Sequence, residues 1–169
     1  MSDGERVELR RVLRTDAGAL IAANLDNVDY HAPWETAFTD QAAFDAWFDR
    51  GVLGAKVLLV AHERATGDVV GVINLNDIVL GRFKSAHFGY WGYRRTGGRG
   101  LMTEALRLAV RYAFDEVGLH RVEANIQPNN VRSLALARRA GFTKEGYSQR
   151  YLFIDGAWRD HERWTRLAD

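Results

Sequence analysis

"RRTGGRGLMTEAL", residues Arg94 to Leu106, sets three glycines among three arginines and then becomes a regular helical pattern. Met102, Ala105, Leu106, Ala109 and Ala113 recur on one face, and Glu104, Arg107, Arg111 and Asp115 share the other, so the helix lies on a sheet with its N-terminus free. A free helix start presents unpaired N–H groups and the positive end of the helix dipole. Gly97, Gly98 and Gly100 let backbone come close to a ligand there, and Arg94, Arg95 and Arg99 add positive charge, a combination that suits a pyrophosphate. A flexible surface turn with solvated arginines leaves the same local pattern, so the rest of the chain must decide.

Working outward, the order of elements is mixed α and β. Val7 to Leu13 reads as a strand, and Thr15-Asp16 caps a helix through about Asn27. A second helix starts at Asp40 with Ala43, Phe44, Trp47 and Phe48 at helical spacing, and Gly51 stands where its C-cap is expected. The buried run AKVLLVAHE, from Ala55, turns at Ala65 to Asp68 into VVGVINLNDIVL as a hairpin. Ser85 to Tyr93 is an aromatic strand. After the glycine loop come a helix from about Leu101 to Glu116, a strand from Arg121 to Ile126 and a helix from about Val131 to Ala140 ending at Gly141. Two last strands, GYSQRYLFI and AWRDHERWTRL, flank an Asp155-Gly156 turn.

The 169 residues, 47% of them hydrophobic, suffice for one core, and with no repeats and only Pro33 and Pro128 there is no linker, so one domain over 1–169 is expected. Lys and Arg number 23 against 22 Asp and Glu, which removes any global pull towards nucleic acid or membrane and makes an anion site local. The absence of cysteine excludes disulfides, thiolate metal sites and a covalent cysteine intermediate. With no apolar segment of signal or membrane-span length, a cytoplasmic protein with no metal is expected.

No Walker A run exists, and the dinucleotide fingerprint that begins at Gly98 meets Thr103 where its third glycine belongs. Arg95-Thr96-Gly97-Gly98-Arg99-Gly100 does match the Arg/Gln-x-x-Gly-x-Gly/Ala signature of the GNAT acetyltransferase superfamily. "FGYWGYRRTGGRGLMTEAL", "LHRVEANIQPNNVRSLALARRAGFTKEG" and "DGAWRDHERW" resemble in order the central motifs of its RimJ/RimL branch, the ribosomal-protein N-acetyltransferases. The resemblance covers roughly residues 85 to 166. It implies an α/β (α+β) fold with a mixed, mostly antiparallel seven-stranded sheet and about four helices. It also implies that the fourth and fifth strands, Ser85 to Tyr93 and Arg121 to Ile126, splay at a bulge, for which Gly89 and Gly92 are the candidates.

Acetyl-CoA is the cofactor so implied. Its pyrophosphate would lie on Arg95, Gly97, Gly98, Arg99 and Gly100 and on the first turn, Leu101, Met102 and Thr103. Its pantetheine would meet the backbone of Trp91, Gly92 and Tyr93, with Asn130 on the amide. Where many superfamily members carry a proton-donating tyrosine after this asparagine, the chain reads Asn130-Val-Arg-Ser133-Leu-Ala-Leu-Ala137, and Ser133 stands as donor to the departing thiolate, a fair leaving group at a thiol pKa near 8.5. As a helix start, Asn130 is equally a natural N-cap with Ser133 at N3.

His87 occupies the place where relatives carry a glutamate and is the candidate base. Such a base suits an α-amine, which costs about 1 kcal/mol to deprotonate at pH 7, better than a lysine at about 4.6 kcal/mol. Leu152 stands where some RimL-like members have a further glutamate, and Glu104 and Glu123 match family positions but also suit salt bridges. For the acceptor pocket the candidates are Tyr30, His31 and Trp34 between the first two helices, with Asn76, Asn74 and Asp77 reaching in from the hairpin, although such an aromatic loop also serves simple packing. The resulting expectation is direct acetyl transfer to a protein N-terminus. A small amine acceptor, or a CoA-binding module with little activity, remains open at this level. An exposed strand edge allows a homodimer.

Overall fold

Apolar positions alternate through the strands and stripe the helices, and in the computed structural model, which describes residues 2–54 and 56–168, they close into one mixed sheet with helices on both faces. The strands are β1 (Ser2–Asp3), β2 (Val7–Arg11), β3 (Val57–Glu63), β4 (Val69–Val79), β5 (Ser85–Gly92), β6 (Arg121–Ile126), β7 (Thr143–Ile154) and β8 (Ala157–Leu167), in the spatial order β1-β2-β3-β4-β5-β6-β8-β7. All seven expected strands form, and the two-residue β1 adds to one edge; Ala55, expected to open a strand, lies outside the described residues. Helices α1 (Ala17–Leu25), α2 (Val28–His31), α3 (Gln41–Leu53), α4 (Leu101–Asp115) and α5 (Val131–Arg139) complete the fold. The single-turn α2 falls where the sequence suggests only a loop. Among the described residues no helix is long and apolar enough to cross a membrane.

The strand alternation splits the core in two. Val7, Leu59, Ile73, Phe88, Val122 and Trp164 face α4 and α5 through Leu101, Ala105, Leu106, Ala109 and Ala137. Val60, Val72, Trp91 and Tyr93 point the other way, onto Leu20 of α1 and Phe44 of α3. These two helices cover only the β2 to β5 side of their face, so the strip over β6 and β8 carries polar residues, among them Glu123, Asn125, Arg163 and Thr165.

Every strand pairing is antiparallel except β5 with β6. That parallel pairing runs from Ser85↔Arg121 to Phe88↔Ala124 and stops, although β5 continues to Gly92 and β6 to Ile126. Both continuations keep their outer partners, Gly92 on Gly71 of β4 and Ile126 on Glu162 of β8. The expected splay is therefore a seam between two otherwise fully paired half-sheets.

Two local expectations are corrected. Gly89 and Gly92 are not bulge residues, because β5 keeps regular register with β4 through both; the irregularity lies on β4 between Asn76 and Val79, where Asp77 adopts φ 51°. Gly51 does not end its helix, which runs on to Leu53. Gly51 is there because the helix lies close on the sheet: a Cβ would come within 2.3 Å of Leu58 Cδ1. Leu58 is buried, so Gly51→Ala is expected to overpack this contact and lower stability by about 1–3 kcal/mol in denaturant titration, with the exposed Gly18→Ala of α1 as the harmless control.

Candidate active site

The loop between β5 and α4 needs its glycines for different reasons. Gly98 (φ 73°) and Gly100 (φ 78°) adopt left-handed backbone immediately before α4, so their N–H groups join those of the helix start in a concavity suited to an anion. A Cβ at Gly98 would meet nothing within 4 Å, so the requirement there is conformational, whereas a Cβ at Gly97 would press on the Tyr30 hydroxyl at 3.3 Å. Leu101 and Thr103 are buried beneath the first turn, and Met102 packs its sulfur over Gly71 and Gly92.

The charge expected of the three arginines is largely matched by acids. Arg94 pairs with Asp29 at 2.7 Å and Arg95 with Asp68 at 3.0 Å. Arg99 forms a two-pronged pair with the buried Glu63, and that contact holds the Glu63 carboxyl below the usual range despite burial. Surface pairs of the first two kinds are weak and exchangeable, and Arg95, with 80% of its side chain exposed, is the freest to turn towards a phosphate. Arg99 braces the loop. Glu104, matched to a family position by the sequence, accepts the N–H groups of Arg6 and Val7 at 2.8 and 3.0 Å and fixes the start of β2.

A buried network holds the β5 end of the seam. Trp91 Nε1 donates to Asn24 Oδ1 and to the Tyr93 hydroxyl, and Tyr93 donates to the same Asn24 oxygen at 2.9 Å. The side chains of Trp91 and Tyr93 are thus committed to the core, which leaves only their backbone for a ligand. Asn27 Oδ1 accepts the Arg94 N–H and ties the start of α2 to the loop. His31 is buried with Nε2 2.9 Å from Gly92 O; a carbonyl can only accept, so Nε2 carries the proton. His31 is therefore a support for the strand end rather than a wall of an open pocket. Tyr30 lies under the guanidinium groups of Arg94 and Arg132, at the rim where the loop faces α5. Trp34 lines a cleft of about 120 Å³ with Pro33, Gln127, Asn129 and the β7–β8 hairpin residues Ile154, Asp155 and Arg159.

The two faces of the seam carry different chemistry. On the α5 face, Asn130 Oδ1 caps the helix by accepting Ser133 N–H at 3.1 Å, as a helix start requires. Ser133 Oγ is not used in the cap: it lies 2.9 Å from the Tyr90 hydroxyl. Two hydroxyls joined by one hydrogen bond keep one O–H to give elsewhere. Burial pushes the Tyr90 phenol up to about 12, so it stays protonated at neutral pH. Tyr90 was missed by the sequence reading, although the alternation Phe88, Tyr90 already aims it at the first turn of α5.

On the opposite face, His87 sits in the last paired stretch between Asp77 (Nδ1 to Oδ2 3.7 Å) and Glu123 (Nε2 to Oε2 3.6 Å). These separations exceed a hydrogen bond. Asn76 is its register partner on β4. The arrangement thus brings a hydroxyl donor and an imidazole acceptor to opposite sides of one gap.

Comparison with known proteins bears on the same residues. The acetyltransferase (GNAT) domain family matches residues 6–143. The chain is similar to the ribosomal protein uS5-alanine N-acetyltransferase of Escherichia coli K12, with 34% identity over 165 residues, covering 93% of this chain and 85% of that protein. Among solved structures it is similar to Mycobacterium smegmatis RimJ in complex with CoA-disulfide, at 31% identity and TM-score 0.85 over 96% of this chain and 82% of that one. It is also similar to the ribosomal-protein-S5-alanine acetyltransferase of Vibrio fischeri, at 25% identity and TM-score 0.85 over 99% and 96%.

The buried His31 makes the seam acid-sensitive. Burial lowers its pKa below the ordinary 6.5, so above that pH it is neutral folded or unfolded, and as pH falls below about 6.5 the unfolded chain takes the proton first and stability is lost. His62 and His161 are shifted the same way by burial. His31→Gln, which retains a donor for Gly92 O, is expected to lose less stability than wild type between pH 6.5 and 5 in parallel thermal melts.

Proposed function

The chain belongs to the GNAT acetyltransferase family and is an acetyl-CoA-dependent N-acetyltransferase, and from that premise we propose that its acceptor is the N-terminal α-amine of a protein, of the ribosomal-protein kind. The observation that carries the mechanism is the division of the seam, with Ser133 and Tyr90 on one face and His87 on the other. The near full-length similarity to a uS5-alanine N-acetyltransferase supports the choice of acceptor.

The residues present fit the cofactor. The left-handed Gly98 and Gly100 before α4 supply backbone donors for a pyrophosphate, Arg95 can exchange its exposed pair with Asp68 to join them, and the edges of β5 and β6 beyond Phe88 and Ala124 are open to an extended arm. Acetyl-CoA supplies the acetyl group as a thioester. Within that frame the chain's own groups handle protons and position. His87 takes the proton of the acceptor amine, through water where the reach requires it, with Asp77 and Glu123 on either side of it. Ser133, with its hydroxyl held by Tyr90, would give a proton to the departing thiolate. Asn130, besides capping α5, would hold the pantetheine amide. Trp34 and the cleft beneath the β7–β8 hairpin receive the acceptor, with Tyr30 at the rim and Asn76 beside His87. The protein would work in the cytoplasm as one domain over 1–169, and a homodimer would pair through the outer edge of β7.

The reading is checked by mass-spectrometric acetyl transfer from acetyl-CoA to peptides with Ala, Ser or Met N-termini, beside spermidine, amino acids and aminoglycosides. Selective α-amine acetylation of peptides is expected, and modification of a small amine alone would overturn the acceptor. Ser133→Ala is expected to lower kcat by about 10²-fold and Tyr90→Phe by about tenfold, each with the KM for acetyl-CoA within about twofold. A CoA-binding module without activity would instead show tight acetyl-CoA binding and no transfer to any amine in the panel.

A further inference from the structure

Among the described residues three buried side-chain polar atoms lack a hydrogen-bond partner: Asn74 Oδ1, Asn125 Oδ1 and Arg163 Nε. Native folds rarely leave such atoms unmet, so each of the three calls for an explanation. All three fall on one row of the sheet. Asn74 is the register partner of Gly89, Gly89 is the first residue of β5 past the last β5–β6 pair, Asn125 is the first of β6 past it, and Arg163 is the partner of Asn125. The alternation of the strands puts them on the face opposite α4 and α5, the face that also carries His87.

Neighbouring glycines clear the row. Gly89 contributes no side chain between Asn74 and the seam, and a Cβ there would crowd Asn76 Nδ2 at 3.2 Å. On the far side, a Cβ at Gly146 of β7 would lie 2.5 Å from Arg163 Nη2 and 3.3 Å from Nε. The guanidinium thus occupies the space that a side chain at Gly146 would fill. The row reads acceptor, open position, acceptor, donor.

We propose that this row is the acceptor-reading subsite: Asn74 and Asn125 take the N–H groups of the α-amine in their amide oxygens, and Arg163 Nε donates to the carbonyl that follows that amine. The inference rests on the N-acetyltransferase reading above and sharpens it to a substrate class, α-amines with an adjacent carbonyl. Amide oxygens suit a nucleophilic amine because they hold its N–H groups without demanding that it keep a positive charge. A polyamine offers donors only. It would satisfy the two asparagines and leave the buried Arg163 donor unmet, which penalises it against a peptide.

The test compares an alanine-led peptide with its trans-alkene isostere, in which the first amide keeps its shape but loses its carbonyl oxygen and its N–H, with each rate divided by the fraction of free α-amine measured by titration, because loss of the carbonyl makes the amine more basic. In the wild-type enzyme kcat/KM is expected to fall at least tenfold for the isostere, a comparison that needs no variant. In Arg163→Met the two peptides are expected within about twofold of each other, while acetyl-CoA affinity and the thermal melt stay near wild type. Asn74→Leu and Asn125→Leu are expected to raise the peptide KM with the KM for acetyl-CoA unchanged. Equal rates for peptide and isostere in the wild type, or a penalty that persists in Arg163→Met, would overturn this subsite while peptide acetylation itself stands. Acetylation of spermidine with no peptide modified would overturn the acceptor reading as well.

Discussion

Everything specific about this molecule follows from where one pairing stops. Backbone N–H and C=O groups must find partners, so two neighbouring strands can separate within a sheet only if each is held from the outside. Beyond Phe88 and Ala124 that is the case: β5 stays on β4, and β6 stays on β8. The half-sheets diverge as units, and the inner edges they expose are a place for an extended ligand to lie as a strand would. His31 shows how tightly the fold manages this exposure, since it reaches across to Gly92 O at the end of the divergent stretch.

The surrounding elements then act as braces. Asn24 gathers Trp91 and Tyr93 from the far side of β5, Asn27 holds the Arg94 N–H, and Arg99 locks on Glu63. Each fixes the point at which the strand becomes the glycine loop. An anion site made of backbone N–H groups is only as good as the angle at which they are presented, which explains why so many side chains around this loop point away from the ligand position and into the frame. The arginines that look like phosphate ligands in the sequence are, in two of the three cases, surface ion pairs, and in the third a structural one.

The sheet, its order of elements and the loop were legible because they rest on local signals: period-two and helical stripes, a glycine cluster, a cap at Asn130. What was not legible depends on contacts between distant segments. Gly51 looked like a helix end because nothing nearby announces Leu58 beneath it. Gly89 and Gly92 looked like bulges, whereas the extra residue lies on the partner strand, near Asp77. Tyr90 was passed over as one more aromatic in a strand, because its meaning comes from Ser133, 43 residues later. His31 was placed with the acceptor although burial and Gly92 make it a support.

The same sheet geometry would also separate the two proposed proton tasks. In a strand, residues an odd number apart point to opposite faces, so His87 and Tyr90 are divided by the sheet itself. A base and an acid placed side by side would pair with each other, and each would lose the proton state it needs; here the acid's partner is another hydroxyl and the base's neighbours are carboxylates. A hydroxyl pair keeps one O–H to give, and it lies on the other face of the sheet from the imidazole. On the proposed mechanism both reach a common bond through the gap between β5 and β6, so the interruption of a single strand pairing would provide the cofactor channel and also keep acid and base apart.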